Sequence, residues 1–454
     1  MICPQDDDAL LSIGAAAAEA PERAAVRTPQ GDVTYRELAG FVKERIAQIE
    51  RPAPGRPALF VAEADLGGIA GILAHLEARI PVMLLSPKLT AYERAEAKKA
   101  ADAISEPLPE GTAAVIMTSG TTGRPKAAVI SRASLAASAR AVASALRMTP
   151  DDVFQLAITP SRVGGLGVVI RSLAVRGCVS LAPKFSAERF PDILARDGVT
   201  LASVVPAMLA EVLAKRPEWR APGRLRALLV GGAACPMRIR GLAAERRIPI
   251  VTTYAMTETA SSVALSDYDE RFVPRADAGR AVPGAEIRIG AESEIEVKGP
   301  MVTAGYWGRA APIENGWLRT GDIGALDAEG RLRVFSRRSE MILTGGDNVF
   351  PGEVEAALEA VPGIRAALVT GLPDETWGAI VTALLVPEKE GAEIGDAALA
   401  RAVSERLARF KAPRRIAWVK ALPRTAAGKL CRSPKVLQGL SLRTLHYSRP
   451  GSRS

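Results

Sequence analysis

The chain has 454 residues, 48% hydrophobic and 24% charged, which fits a globular protein of two or three domains. Its net charge of +9 is dispersed in pairs such as Arg246–Arg247 and Arg337–Arg338, and only 4% of residues are aromatic. No basic run is interleaved with aromatics, which argues against nucleic-acid binding. No apolar run approaches the roughly 20 residues that span a bilayer. The start, with Asp6–Asp7–Asp8, is unlike a signal peptide. Four scattered cysteines and two histidines, His75 and His446, offer no zinc spacing, so reduced thiols in a cytoplasmic protein are the expectation.

In chain order, residues 113–117 form an apolar run that reads as a buried strand. It runs into Thr118-Ser119-Gly120-Thr121-Thr122-Gly123-Arg124-Pro125-Lys126. Glycines let backbone N–H groups approach an anion, hydroxyls donate to it, and the lysine supplies charge. The spacing is not that of a Walker A loop, because Gly120 and Gly123 are too close and Ala127 follows the lysine. Taken alone, the stretch also fits a Gly-rich turn with an exposed lysine. A helix is expected from Ser131, with Leu135, Val142 and Leu146 on one face. A Gly-rich stretch over 160–171 follows, containing Arg162, Gly164, Gly165 and Arg171.

The strand 227–230 leads into Gly231-Gly232-Ala233-Ala234, and the apolar 248–251 into Thr253-Tyr254-Ala255-Met256-Thr257-Glu258. Thr257 and Glu258 bring oxygen ligands of the kind a hard cation takes. Around 287–298, Glu294, Glu296 and Lys298 alternate with Ile295 and Val297 as in a strand. Asp322 ends Trp317-Leu318-Arg319-Thr320-Gly321-Asp322; its carboxylate is a natural acceptor for a vicinal diol or, more plainly, a turn residue. A second section begins near Arg337. Pro351 opens a helix carrying Val354, Leu358 and Val361, strands follow at 366–372 and 380–386, and Asp396 caps a helix with Leu399, Val403 and Leu407. The strand 416–419 leads to the loop 423–429, and the basic tail after Pro434 is expected to fray.

Six of these segments, in order from residue 118 to 429, resemble the signatures of the adenylate-forming superfamily, which holds acyl-CoA and aryl-CoA synthetases, firefly luciferase and peptide-synthetase adenylation domains. The resemblance covers nearly the whole chain. It implies an α/β protein with a large N-terminal multi-sheet α/β domain (1–336), a small mobile α+β C-terminal domain (337–434), a basic tail (435–454) and a hinge at Ser339. It also implies ATP, Mg2+ and CoA, and a reaction that makes an acyl-AMP and then a thioester from a carboxylic acid.

By this resemblance Thr118, Ser119, Gly120, Thr121, Thr122 and Lys126 hold phosphates. Gly232 and Ala233 lie against the adenine, and Tyr254 stacks on it. Thr257 meets the α-phosphate and Glu258 helps hold the metal, although Ala255 stands where glycine is usual. Asp322 accepts the ribose hydroxyls and Arg337 contacts ribose or phosphate. Gly345 and Gly346 belong to the loop that reaches the CoA pantetheine. Lys429 bridges the acid and the ATP phosphate, where charge builds in the transition state.

The acid pocket falls on the 160–171 stretch, most similar to the o-succinylbenzoate–CoA ligase branch. There Arg171 would pair with a second carboxylate of an aromatic or dicarboxylic acid, while Ser161–Arg162 replace the branch's usual aromatic-His pair. Both arginines also fit plain surface charges. The alternatives are another aryl- or acyl-CoA ligase, an enzyme that loads a separate carrier protein, and a non-catalytic AMP-binding protein. Lys126, Glu258, Asp322 and Lys429 speak against the last. Small molecules are the expected partners, with no nucleic acid and no membrane, and a homodimer is left open.

Overall fold

The computed structural model describes residues 3–4, 6–118, 126–182, 184–345, 347–424 and 430–447. The expected strand is Thr112–Thr118, buried over its first five positions. It is one of the two central strands of a six-stranded sheet built from Ala58–Val61, Val82–Leu85, Thr112–Thr118, Lys126–Ser131, Gly305–Tyr306 and Arg309–Ala310 in spatial order. A nine-stranded sheet stands beside it. Its centre is parallel: Ile250–Met256, Ala227–Val230, Leu201–Val204, Val153–Gln155 and Cys178–Ser180 are neighbours in that order. Such strands are buried on both faces, hence the continuous apolar run Ala227–Val230.

The helix expected at Ser131 is Arg132–Ala145, and the Ser131 hydroxyl accepts the Ser134 N–H at 3.0 Å as its cap. One apolar core joins this helix and Val163–Val175 to both sheets, and runs on to Ile295, Val297 and Leu318 of a third, antiparallel sheet. That third sheet contains Glu286–Ile289, Glu294–Lys298, Trp317–Leu326 and Leu332–Arg337.

Residues from Ile342 onward build a fourth sheet with its own core, in which Ile342, Val354, Leu358, Val369, Val381, Leu399, Val403 and Ile416 pack together. The fold class is therefore the expected one, a large multi-sheet α/β part followed by a small α+β part. Two expectations are corrected here. Asp396 is the first residue of its helix and not its cap, which is Gly395 with no side-chain bond; the carboxylate acts on the helix dipole from the first turn instead. Nor are residues 434–447 frayed: Leu437 and Leu445 are buried, and Arg443–Thr444 pairs with Arg415–Trp418. The anchors of this stretch are Val436, Leu437, Leu440, Leu442 and Leu445, which outnumber Lys435 and Arg443.

Candidate functional site

The described members of the expected phosphate group lie where two sheets meet. Thr118 and Lys126 face each other across an antiparallel pair, and the Thr118 hydroxyl donates to the Lys126 carbonyl at 3.3 Å. On the far side of Lys126–Ser131, Gly305–Tyr306 pairs so that Tyr306 faces Ala128. The Lys126 ammonium then lies 5.1 Å from the centre of the Tyr306 ring. The Tyr306 hydroxyl donates to Glu258 Oε1 at 2.6 Å. Burial first, and then this carboxylate, push the Tyr306 phenol far above its usual range, so it stays a donor. Tyr306 thus joins Lys126 to Glu258. The sequence reading did not single it out; its signal is an aromatic pair bracketed by glycines, Gly305-Tyr306-Trp307-Gly308.

The expected ribose residues also meet. Tyr254 is buried, and its hydroxyl donates to Asp322 Oδ2 at 2.7 Å. Asp322 sits directly opposite Arg337 in the third sheet, and Arg337 Nε lies 2.9 Å from Asp322 Oδ1. Burial, reinforced by the Asp322 charge, lifts the Tyr254 phenol well above its usual range. A carboxylate has about four acceptor positions, and these two donors take up two of those on Asp322. Ala255 keeps a negative φ in its strand, opposite Ser262, so the missing glycine costs nothing there.

Arg171 is not a surface charge. It is 2% exposed on the helix Val163–Val175, with Nη2 donating to the Ser261 hydroxyl at 2.5 Å. Among the described residues no carboxylate pairs with it, and its Nε is buried without a hydrogen-bond partner. Burial alone lowers its pKa to about 10, which leaves it charged at neutral pH. An unpaired buried charge is costly unless something answers it.

Arg162 is exposed at the start of the same helix and makes no side-chain cap bond there. Gly165 is tightly fitted, since a Cβ would fall 2.3 Å from the Ile158 carbonyl oxygen, whereas Gly164 has space. Gly232 (φ +78°) and Ala233 form an exposed turn after Ala227–Val230. Gly345 lies in the small part, in the turn between Ile342–Thr344 and Asp347–Val349. Its N–H donates to the Trp377 carbonyl at 2.9 Å, and its φ of +60° with a ring 2.7 Å from any Cβ demands glycine. Ser119, Gly120, Thr121, Thr122, Gly346 and Lys429 lie outside the described residues.

Known proteins share this architecture. The model of the AMP-binding enzyme family matches residues 77–307, and that of the AMP-binding enzyme C-terminal domain matches 353–429. A 2-succinylbenzoate–CoA ligase of Bacillus mycoides (strain KBAB4) is 36% identical over 331 residues, 70% of this chain and 68% of that protein. The o-succinylbenzoate CoA synthetase of Bacillus subtilis, in complex with the acyl-adenylate intermediate OSB-AMP, superposes with a TM-score of 0.82 at 28% identity, covering 96% of this chain and 98% of the other. The same enzyme with ATP and magnesium ion gives 0.81 at 29% identity, over 92% and 98% of the two chains. The chain belongs to the AMP-binding enzyme family.

Proposed function

We propose that this chain is an ATP- and Mg2+-dependent acid–CoA ligase that converts o-succinylbenzoate to its acyl-AMP and then to a CoA thioester. One observation carries the reading: a single eight-residue segment, 254–261, reaches three chemically distinct groups. Tyr254 bonds the Asp322–Arg337 pair, Glu258 bonds Tyr306 beside Lys126, and Ser261 bonds the unpaired Arg171. A nucleotide's ribose, its phosphates with their metal, and an acid with a second negative charge would lie in that order along it.

The donors fit the groups they would hold. Glu258 is half-buried with Oε1 engaged by Tyr306, which leaves Oε2 for a hard cation that keeps water and phosphate oxygens as its other ligands. That cation, when bound, neutralises charge on the phosphates. Asp322 accepts from the ribose diol, and Arg337 is held ready beside it. Thr118 to Thr122 and Lys126 grip the phosphates, with Thr257 on the α-phosphate. Gly232 and Ala233 back the adenine, on which Tyr254 stacks. Lys429 meets the charge that develops as the acid's carboxylate attacks the α-phosphorus and pyrophosphate leaves. Arg171 fixes the acid's other carboxylate, with Gly164, Gly165 and Arg162 on the pocket wall. The 1–336 and 337–434 units then turn about Ser339, so that Gly345 and Gly346 present CoA to the acyl-AMP.

The test is pyrophosphate release with ATP, Mg2+ and o-succinylbenzoate, with and without CoA. CoA-dependent turnover, lost in Lys429→Ala while ATP binding survives, is the expected result. Release with a different acid only would overturn the substrate. Release that needs a carrier-protein thiol in place of CoA would overturn the acceptor.

A further inference from the structure

Arg171 sits where two costly local choices put it. The first is Gly167, one turn earlier on the same buried helix. Glycine inside a helix is disfavoured by its backbone entropy, so its presence needs a reason. At 167 a Cβ would fall 2.8 Å from Arg171 Nη2, 3.0 Å from Cζ and 3.2 Å from Nη1. The guanidinium therefore folds back over its own helix into the space that a missing side chain leaves. The second choice is the turn 259–261. Ala260 has φ +52° and Ser261 φ +147°, two successive non-glycine residues in a region that L side chains rarely adopt. The turn is held from both sides. The Thr259 hydroxyl lies 3.1 Å from the Met256 carbonyl and 2.8 Å from that of Ser261, and the Ser138 hydroxyl donates to the Ala260 carbonyl at 3.3 Å. The result points the Ser261 hydroxyl at Arg171 Nη2, 2.5 Å away.

We propose that Gly167 and Ser261 are positioning residues that set where the Arg171 guanidinium lies, and so select an acid whose second carboxylate stands at a fixed remove from the one that is activated. Ser261 opens the strand that directly follows the turn of Thr257 and Glu258, so the anchor for one end of the acid and the groups at its reacting end lie on one continuous short segment. The inference rests on the reading of Arg171 as the anchor of that second carboxylate.

Gly167→Ala puts a methyl group against the guanidinium, the free end of a flexible chain, so the charge moves and the helix stays. Ser261→Ala removes the opposite hold without adding bulk. Steady-state kinetics would compare o-succinylbenzoate with its two monocarboxylic analogues, 4-oxo-4-phenylbutanoate and 2-butanoylbenzoate, as substrates or competitive inhibitors. Circular dichroism melting of each variant would check its fold. We expect KM for the diacid to rise about tenfold in either variant, with kcat held within about twofold and the constant unchanged for the monoacid that keeps only the activated carboxylate. Equal losses on diacid and monoacids would show a merely structural role and overturn the proposal. Unchanged diacid preference in both variants, with that preference lost in Arg171→Ala, would overturn it while leaving the anchor reading intact. Preference intact in Arg171→Ala would overturn both.

Discussion

Glu359 gives the sharpest test of the electrostatics. It ends the helix Pro351–Glu359 in the small part, and its Oε1 accepts the Ala367 N–H at 3.2 Å. Burial pushes its carboxyl from 4.5 up to about 7; the Glu355 charge adds to this, while the Ala367 bond and Arg238 of the large part oppose it. In the unfolded chain the group returns to about 4.3. A folded pKa above the unfolded one means that the folded state holds its proton more tightly. The stability this confers is complete below about pH 4 and is lost as pH rises through about 7. At 1.36 kcal/mol per pH unit the full displacement is worth about 4 kcal/mol; some remaining solvent contact reduces this to about 2 kcal/mol. Glu359→Gln keeps the acceptor for Ala367 and removes the titration. Urea unfolding followed by circular dichroism should find the variant and the parent equally stable near pH 4, and the variant more stable by about 2 kcal/mol near pH 8. Parallel stability curves across that range would refute the argument, because a buried carboxyl without a displaced titration cannot produce the divergence.

Three further outcomes follow from the contacts. Arg432 forks onto Glu355 at 2.6 and 3.0 Å and reaches Glu340 at 3.2 Å, with Glu355 buried; Arg432→Met should cost about 3 kcal/mol in denaturant unfolding, and the double change with Glu355→Gln should recover part of it. Tyr306→Phe removes the donor that orients Glu258. It should raise the Mg2+ concentration for half-maximal pyrophosphate release several-fold, roughly the effect of one charge-assisted hydrogen bond. Asp322→Asn should weaken ATP binding about tenfold by calorimetry, and the penalty should shrink with 2′-deoxy-ATP, which lacks one of the hydroxyls that Asp322 is assigned.

Local chemistry was legible wherever one segment carried its own signal. The strand Thr112–Thr118, the capped helix after Ser131 and the Pro351 helix follow from apolar period and capping residues alone. The meeting of Tyr254 with Asp322 and Arg337 follows from the resemblance, which orders segments that no periodicity connects. Tyr306 was not legible, because its role depends on a two-residue strand pairing with Lys126–Ser131 from far along the chain. Arg171 was legible as a charge but not as a buried one: burial is set by Gly167 and by the turn at Ala260, neither of which has a sequence signature. The stretch 434–447 was misjudged because it was read from the basic and Ser-rich character of the tail as a whole, although within it Val436, Leu437, Leu440, Leu442 and Leu445 outnumber Lys435 and Arg443.

That last stretch has a practical consequence. Arg443–Thr444 covers the open side of Arg415–Trp418, the neighbour of the long strand Gly378–Pro387. An uncovered strand edge is a template for pairing with another molecule. A chain cut back to residue 434, as the basic composition of the tail would invite, would bare that edge together with the apolar bed of Leu437 and Leu445. Self-association of the shortened protein would be the cost of treating these residues as dispensable.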